Sequence, residues 1–188
     1  MLPLEGVAGV GATGVAYWYE LPTGGCGIAK LSREGCARTQ ERDISLLEKV
    51  RQVGIGVKVH GVFGKGEGEE AQYVVLMEDA GVAVERWNLL STEEKRILIV
   101  ALLRLHLLAH TTHGDPRADN ALVDDQSTTR PRRVVWIDIV GDGKIHTDCE
   151  GLECREIKEV VQEMGMSVQE VEDVRSAAVR EGLLARTG

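Results

Sequence analysis

The sequence predicts an α+β fold, with five antiparallel strands and one helix leading into a reduced, mainly helical remainder. Three observations carry that expectation. Short alternating or β-branched runs separated by glycine-containing turns fill the chain as far as residue 78. From Ser91 onward apolar residues recur at helical spacing behind capping-box starts. At 188 residues and 43% apolar composition, the chain suffices for one compact unit or two small lobes around a cleft.

Taken in order, strands are expected near residues 4–11, 14–20 and 26–31, a helix near 37–53, and strands near 56–63 and 71–78. The run from Glu41 to Val50 supplies the helix its apolar periodicity, and the polar turn Gly64-Lys65-Gly66-Glu67-Gly68 separates the last two strands. Tyr73 to Met77 reads as a buried strand leading through Glu78-Asp79-Ala80-Gly81 into a connector. Ser91-Thr92-Glu93-Glu94 then opens an apolar helix to about His110, and helices follow near 151–164 and 168–184, the last behind the capping box Ser167 to Glu170. The boundaries are 1–78, a hinge at 79–83, and 84–188, within one domain overall.

Chemistry concentrates in His113-Gly114-Asp115-Pro116-Arg117-Ala118-Asp119-Asn120, followed by Val134-Val135-Trp136-Ile137-Asp138. Phosphoryl transfer needs a carboxylate beside the acceptor hydroxyl, an amide oxygen for magnesium, and a second carboxylate joining metal to triphosphate. Asp115, Asn120 and Asp138 carry those three groups, between two β-type runs and after an apolar helix. The alternative for so short a pattern is an Asn/Asp-rich turn. Upstream, Gly9, Gly11 and Gly14 form a glycine-rich pattern followed by the alternating run Ala16 to Glu20, which favours a strand-turn-strand flap over a dinucleotide-binding strand-turn-helix. Those glycines either let backbone approach phosphate oxygens or relieve turn strain. Gly27-Ile28-Ala29-Lys30 ends a third strand in a lysine, with acids Glu41 and Asp43 on the helix after it.

These blocks, in this order, resemble the protein-kinase-like superfamily over roughly residues 4–145. Gly114 in His-Gly-Asp is similar to the aminoglycoside and choline phosphotransferase branch and to fungal kinase-like proteins. The resemblance implies a bilobal fold that binds ATP and Mg, with Asp115 as catalytic base, Asn120 and Asp138 as metal ligands, and Arg117 steadying the transferring phosphoryl group. Lys30 would hold the α- and β-phosphates, and Gly9, Gly11 and Gly14 would cover them. The Glu78 carbonyl and Ala80 amide would meet adenine. Asp43 falls where kinases carry glutamate, so either its helix sits closer to Lys30, or Glu41 reaches in, or the ion pair is absent. Ile139-Val140 replaces the usual Phe-Gly after the metal-binding aspartate, and the C-terminal lobe is shortened. An active kinase acting on a protein or small-molecule hydroxyl is therefore expected. The competing class is a pseudokinase that binds nucleotide or a protein partner as a scaffold.

A net charge of −8 disfavours nucleic acid as a partner, because phosphate backbones are held by clustered lysine and arginine. The one short basic cluster, Arg130-Pro131-Arg132-Arg133, reads as part of a solvated loop from Asp124 to Arg133, with a substrate-docking patch as the alternative. No segment reads as a leader or a membrane span, and cytoplasmic residence is the default expectation. Cys26, Cys36, Cys149 and Cys154 lack Cys-x-x-Cys spacing and an evident histidine arrangement for zinc, so they read as reduced thiols. His106 and His110 read as core or edge histidines of an apolar helix, with metal ligation as the alternative.

Overall fold

The structure, a computed structural model, describes residues 4–11, 14–21, 24–33, 37–66, 71–139, 146 and 149–184, and for 37–43 the backbone alone. It is an α+β fold: a five-stranded antiparallel sheet, a second sheet of three short strands, and four α-helices. The chain separates into two compact units, Met1–Arg51 with Val57–Asp79, and Gln52–Gly56 with Ala80–Gly188.

The first unit holds β1 (Leu4–Val10), β2 (Gly14–Glu20), β3 (Cys26–Ser32), α1 (Ala37–Gln52), β4 (Val59–Lys65) and β5 (Gln72–Glu78), with sheet order β1-β2-β3-β5-β4. The apolar β5 takes an inner position, while β1, exposed along most of its length, forms an edge. Tyr19, Ala29 and Leu76 form the buried cluster, with Leu21, Leu31 and Val74 packed against it. Strand β4 starts and ends later than the sequence suggests. Lys58 and Glu78 are locked together: the Lys58 N–H donates to Glu78 Oε1 at 2.5 Å, and the Glu78 N–H donates to the Lys58 carbonyl at 2.9 Å. Pairing with β5 then runs from Val59 opposite Met77 to Lys65 opposite Gln72, which draws Gly64 and Lys65 out of the expected turn and into the strand.

The second unit contains β6 (Val82–Ala83), α2 (Thr92–Leu108), β7 (Ala121–Val123), β8 (Val134–Trp136), α3 (Arg155–Glu163) and α4 (Val168–Arg180). Leu98, Ile99, Leu102, Leu103 and Leu105 of α2 are wholly buried, as befits a helix apolar on most of its surface. Each such side chain contributes about 2 kcal/mol through burial. The Trp136 indole N–H donates to the Leu98 carbonyl at 2.9 Å and so ties β8 to α2.

Helix α4 runs parallel to α2. Near their starts the Thr92 hydroxyl donates to Glu170 Oε1 at 2.6 Å, and near their ends Arg104 Nη2 donates to Glu181 Oε2 at 2.6 Å. Both capping boxes form as expected, Ser91 with Glu94 and Ser167 with Glu170. The final helix stops at Arg180, short of the expected 184, and the segment near 151 opens with a 3₁₀ turn, Gly151–Glu153, before α3.

The Asp124–Arg133 loop is exposed along most of its length, as the solvated reading expects, and Arg132 is the exception. Arg132 is largely buried and grips Glu94, donating through Nε to Oε1 at 2.8 Å and through Nη2 to Oε2 at 3.0 Å, while the Arg132 backbone N–H also reaches Oε1 at 3.0 Å. A fully buried carboxylate needs such donors, and the capping position of Glu94 supplies only the Ser91 N–H. Arg132 holds the Glu94 carboxyl below its ordinary 4.5, at about 2. A depressed carboxyl stabilises the fold above its unfolded pKa, and the contribution is lost as pH falls from about 4.5 towards 2. Glu94→Gln should cost roughly 3 kcal/mol at pH 7 and lower the melting temperature by about 6–12 °C. Thermal unfolding at pH 7 checks this, and a shift under about 2 °C would contradict the anchor.

Candidate active site

The loop between α2 and β7 is built around a half-buried carboxylate. Glu156, at the start of α3, accepts the His113 N–H at 3.0 Å, the Gly114 N–H at 2.7 Å and the His106 ring Nε2–H at 2.5 Å. Burial works to raise the Glu156 pKa, but the hydrogen bonds from His106, His113 and Gly114 hold it net below the ordinary carboxylate value. Gly114 has a φ of +86°, in the left-handed region where a side chain is strained, so glycine between His113 and Asp115 is a backbone requirement.

Past that turn, Asn120 Nδ2 donates to the Asp115 carbonyl at 2.8 Å and to Asp115 Oδ2 at 3.1 Å. With Nδ2 so engaged, the Oδ1 face is the free acceptor of this buried amide. The Ile137 N–H donates to the Asn120 carbonyl at 2.8 Å, which brings the next residue, Asp138, to the same loop. Asp138 itself takes a φ of +49°, a conformation costly for most residues and better tolerated by aspartate. Arg117 Nε pairs with Asp115 Oδ1 at 2.7 Å and approaches Asp119 Oδ1 at 3.8 Å. Asp115, Asn120, Asp138 and Arg117 are thus brought together. The side-chain oxygens of Asp115, Asn120 and Asp138 are hard donors, a chemistry that would suit a hard divalent cation such as magnesium.

In the first unit, Lys30 sits in β3 in register with Ala16 of β2 and Val75 of β5. Gly11 closes the hairpin by donating to the Gly14 carbonyl at 2.9 Å. The three glycines differ in their reasons. A Cβ on Gly14 would lie 2.2 Å from the Leu31 carbonyl oxygen, so close strand approach requires it. On Gly9 a Cβ would meet nothing within 4 Å, and on Gly11 only the Gly14 oxygen at 3.9 Å, so both present bare, open backbone. Glu78 ends β5, and the buried Ala80 begins the second unit. The side chains of Asp43 and Glu41 lie outside the described residues, as do Ala12, Thr13, Cys36 and Val140.

Sequence reasoning passed over several residues. Glu156 looks like any acid favoured in a first helical turn. Cys149 and Cys154 are free thiols as expected, but the reading that they lack a histidine arrangement needs correction, because their sulfurs lie within 4.8 Å of the ring nitrogens of His106 and His146. Cys149 Sγ is 3.7 Å from His106 Nδ1, and Cys154 Sγ is 3.5 Å from His146 Nε2. The spacing His146-x₂-Cys149-x₄-Cys154 was the available signal, but its fourth member, on α2, is set only by the fold. Burial pushes the Cys149 thiol up to about 11. Compared with known proteins, the chain matches no family model and no curated protein. Among the described residues no helix is long and apolar enough to cross a membrane.

His113 gives this site a pH signature. Its ring is fully buried, edge-on to Trp136 at 4.9 Å between centroids, and its Nδ1 accepts the Asp115 N–H at 3.3 Å. The remaining proton therefore sits on Nε2, which has no partner among the described residues. Burial lowers the His113 pKa from 6.5 to about 4, against the opposing charges of Glu156, Asp115 and Asp138. The unfolded chain binds this proton first, so stability is full above about pH 6.5 and declines as pH falls towards 4. The loss should approach roughly 3 kcal/mol. Chemical denaturation at pH 7 and pH 4.5, on wild type and His113→Leu, checks this. Equal pH slopes in the two proteins would refute the assignment.

Proposed function

We propose that the chain is a minimal ATP- and magnesium-dependent phosphotransferase, passing the γ-phosphoryl group to a hydroxyl on a protein or a small molecule. The reading assigns the first unit and the helical second unit to the two lobes of a protein-kinase-like fold. One observation carries it: the bonds from Asn120 to Asp115 and from Ile137 to Asn120 gather three oxygen-bearing side chains on one loop, beside a backbone strained at Asp138. An Asn/Asp turn without a chemical task has no need of that strain.

Asp115 takes the proton of the acceptor hydroxyl, and Asn120 Oδ1 with the Asp138 carboxylate would hold magnesium, which when bound neutralises the charge of the transferring phosphoryl group. Lys30 and the open backbone of Gly9 and Gly11 are assigned to the triphosphate, and the Glu78 carbonyl and Ala80 amide to adenine. Arg117 is exposed and already paired with Asp115, so its guanidinium is at hand for the phosphoryl oxygens. Glu156 and the packed His113 ring act as positioning residues that fix the loop.

A second reading has its own support. Both Asp115 carboxylate oxygens are engaged, one by Arg117 and one by Asn120, which suits a scaffold that binds nucleotide or a protein partner without turnover. Calorimetry of ATP with and without magnesium, on wild type and Asp138→Asn, tests the shared premise. Magnesium-dependent binding that weakens at least about tenfold in the variant is expected, and no binding at all would sink the nucleotide site. Asp115→Asn should retain that binding and lose ATP turnover by a factor of about 100 or more, whereas full turnover in the variant would remove Asp115 from its role.

A further inference from the structure

We propose that His106, His146, Cys149 and Cys154 are the four ligands of a structural zinc ion. The set is separate from the oxygen donors of the phosphotransfer loop and has the opposite chemistry: two sulfurs and two imidazoles, the mixture that suits zinc and not magnesium.

The spacing fits a tetrahedral ion. Zinc–sulfur bonds of about 2.3 Å and zinc–nitrogen bonds of about 2.05 Å at tetrahedral angles put sulfur and nitrogen about 3.6 Å apart. Two of the sulfur–nitrogen separations are 3.7 Å and 3.5 Å, and all four donor atoms lie within 4.8 Å of one another. The His106 and His146 rings meet edge to face at 4.6 Å between centroids, with His106 Nδ1 on Cys149 Sγ and His146 Nε2 on Cys154 Sγ.

Support around the ligands points the same way. His106, wholly buried on α2, gives its Nε2–H to Glu156, which leaves the Nδ1 lone pair on the side of Cys149. A carboxylate behind a ligating histidine fixes its tautomer and raises its basicity. The His146 N–H is held by the His110 carbonyl at 2.8 Å. His146 and Cys149 come from a stretch that, among the described residues, has no strand or helix until the 3₁₀ turn at Gly151, and Cys154 follows that turn as the N-cap of α3. A cation joining that stretch to α2 would provide what local structure does not.

On binding, the two thiol protons pass to solvent, two zinc–sulfur and two zinc–nitrogen bonds form, and the resulting centre is neutral. Four protein ligands leave no open position, so the ion has a structural task and not a catalytic one. Because Glu156 also holds the His113 and Gly114 amides, the ion would stiffen the loop that carries Asp115.

The test uses the full chain, expressed with added zinc and purified without chelator. About one zinc per chain by elemental mass spectrometry is expected. Replacement by cobalt should give thiolate charge-transfer bands and the intense visible absorption of a tetrahedral centre. The double variant Cys149→Ser/Cys154→Ser should lose at least about nine-tenths of the metal, with Cys26→Ser as a control that keeps it. Should the double variant fail to fold, stripping wild type with a strong chelator and restoring zinc must lower and then recover its melting temperature. Stripping should also speed hydrogen exchange at the His113 and Gly114 amides, and unchanged exchange would overturn the link to the loop. Metal-free protein whose stability ignores added zinc, a cobalt form without thiolate bands, or a Cys149–Cys154 disulfide found by non-reducing mass spectrometry would each overturn the site.

Discussion

A carboxylate drawn partly out of water needs donors for its oxygens, and Glu156 recruits three from separate places: a ring on α2 and two consecutive backbone amides. Much of the second unit is organised by that demand. The two amides must point the same way, which fixes the turn at Gly114 and thereby the placement of Asp115. The ring must offer Nε2, which determines where the other nitrogen of His106 faces. Net stabilisation from such a knot is modest, since burial of the charge offsets much of the hydrogen bonding, but removing one member exposes the full cost of an unpaired buried charge. Its value lies in geometry. One side chain couples helix, loop and sulfur cluster so that none can adjust alone.

The sequence conveyed a good deal of this molecule and was silent on the rest for identifiable reasons. Strand and helix positions follow from side-chain period, which depends on neighbours in the chain; hence β2, β3 and α1 lie within a residue of their expected limits. β4 slipped because its ends answer to Glu78, and no local pattern reports a partner twenty positions away. The capping boxes were legible because a capping box is a short-range device. Glu94, however, belongs to one and also serves Arg132, and only its cap role can be read locally.

The same division applies to the site. Asp115, Asn120 and Asp138 were found because phosphoryl transfer imposes a short, ordered spacing on one loop and the strand after it. His106 and Glu156 were overlooked because a histidine in an apolar helix and an acid at a helix start are ordinary sights, given meaning only when the fold sets them 2.5 Å apart. Gly14 is an intermediate case. The sequence marks it as exceptional, but the reason is the carbonyl of Leu31 on the neighbouring strand.

The parallel course of α2 and α4 carries a consequence of its own. Peptide dipoles in two helices that point the same way repel, and here both amino ends lie together. Glu93, Glu94 and Glu170 place negative charge at that shared positive pole, while at the other pole Arg104 and Glu181 form an ion pair whose charges cancel. The compensation for an arrangement that would be self-opposing in bare backbone is concentrated at the amino ends. Glu94 and Glu170 belong to capping boxes on the two different helices, so a pH low enough to protonate both would loosen the starts of both helices together.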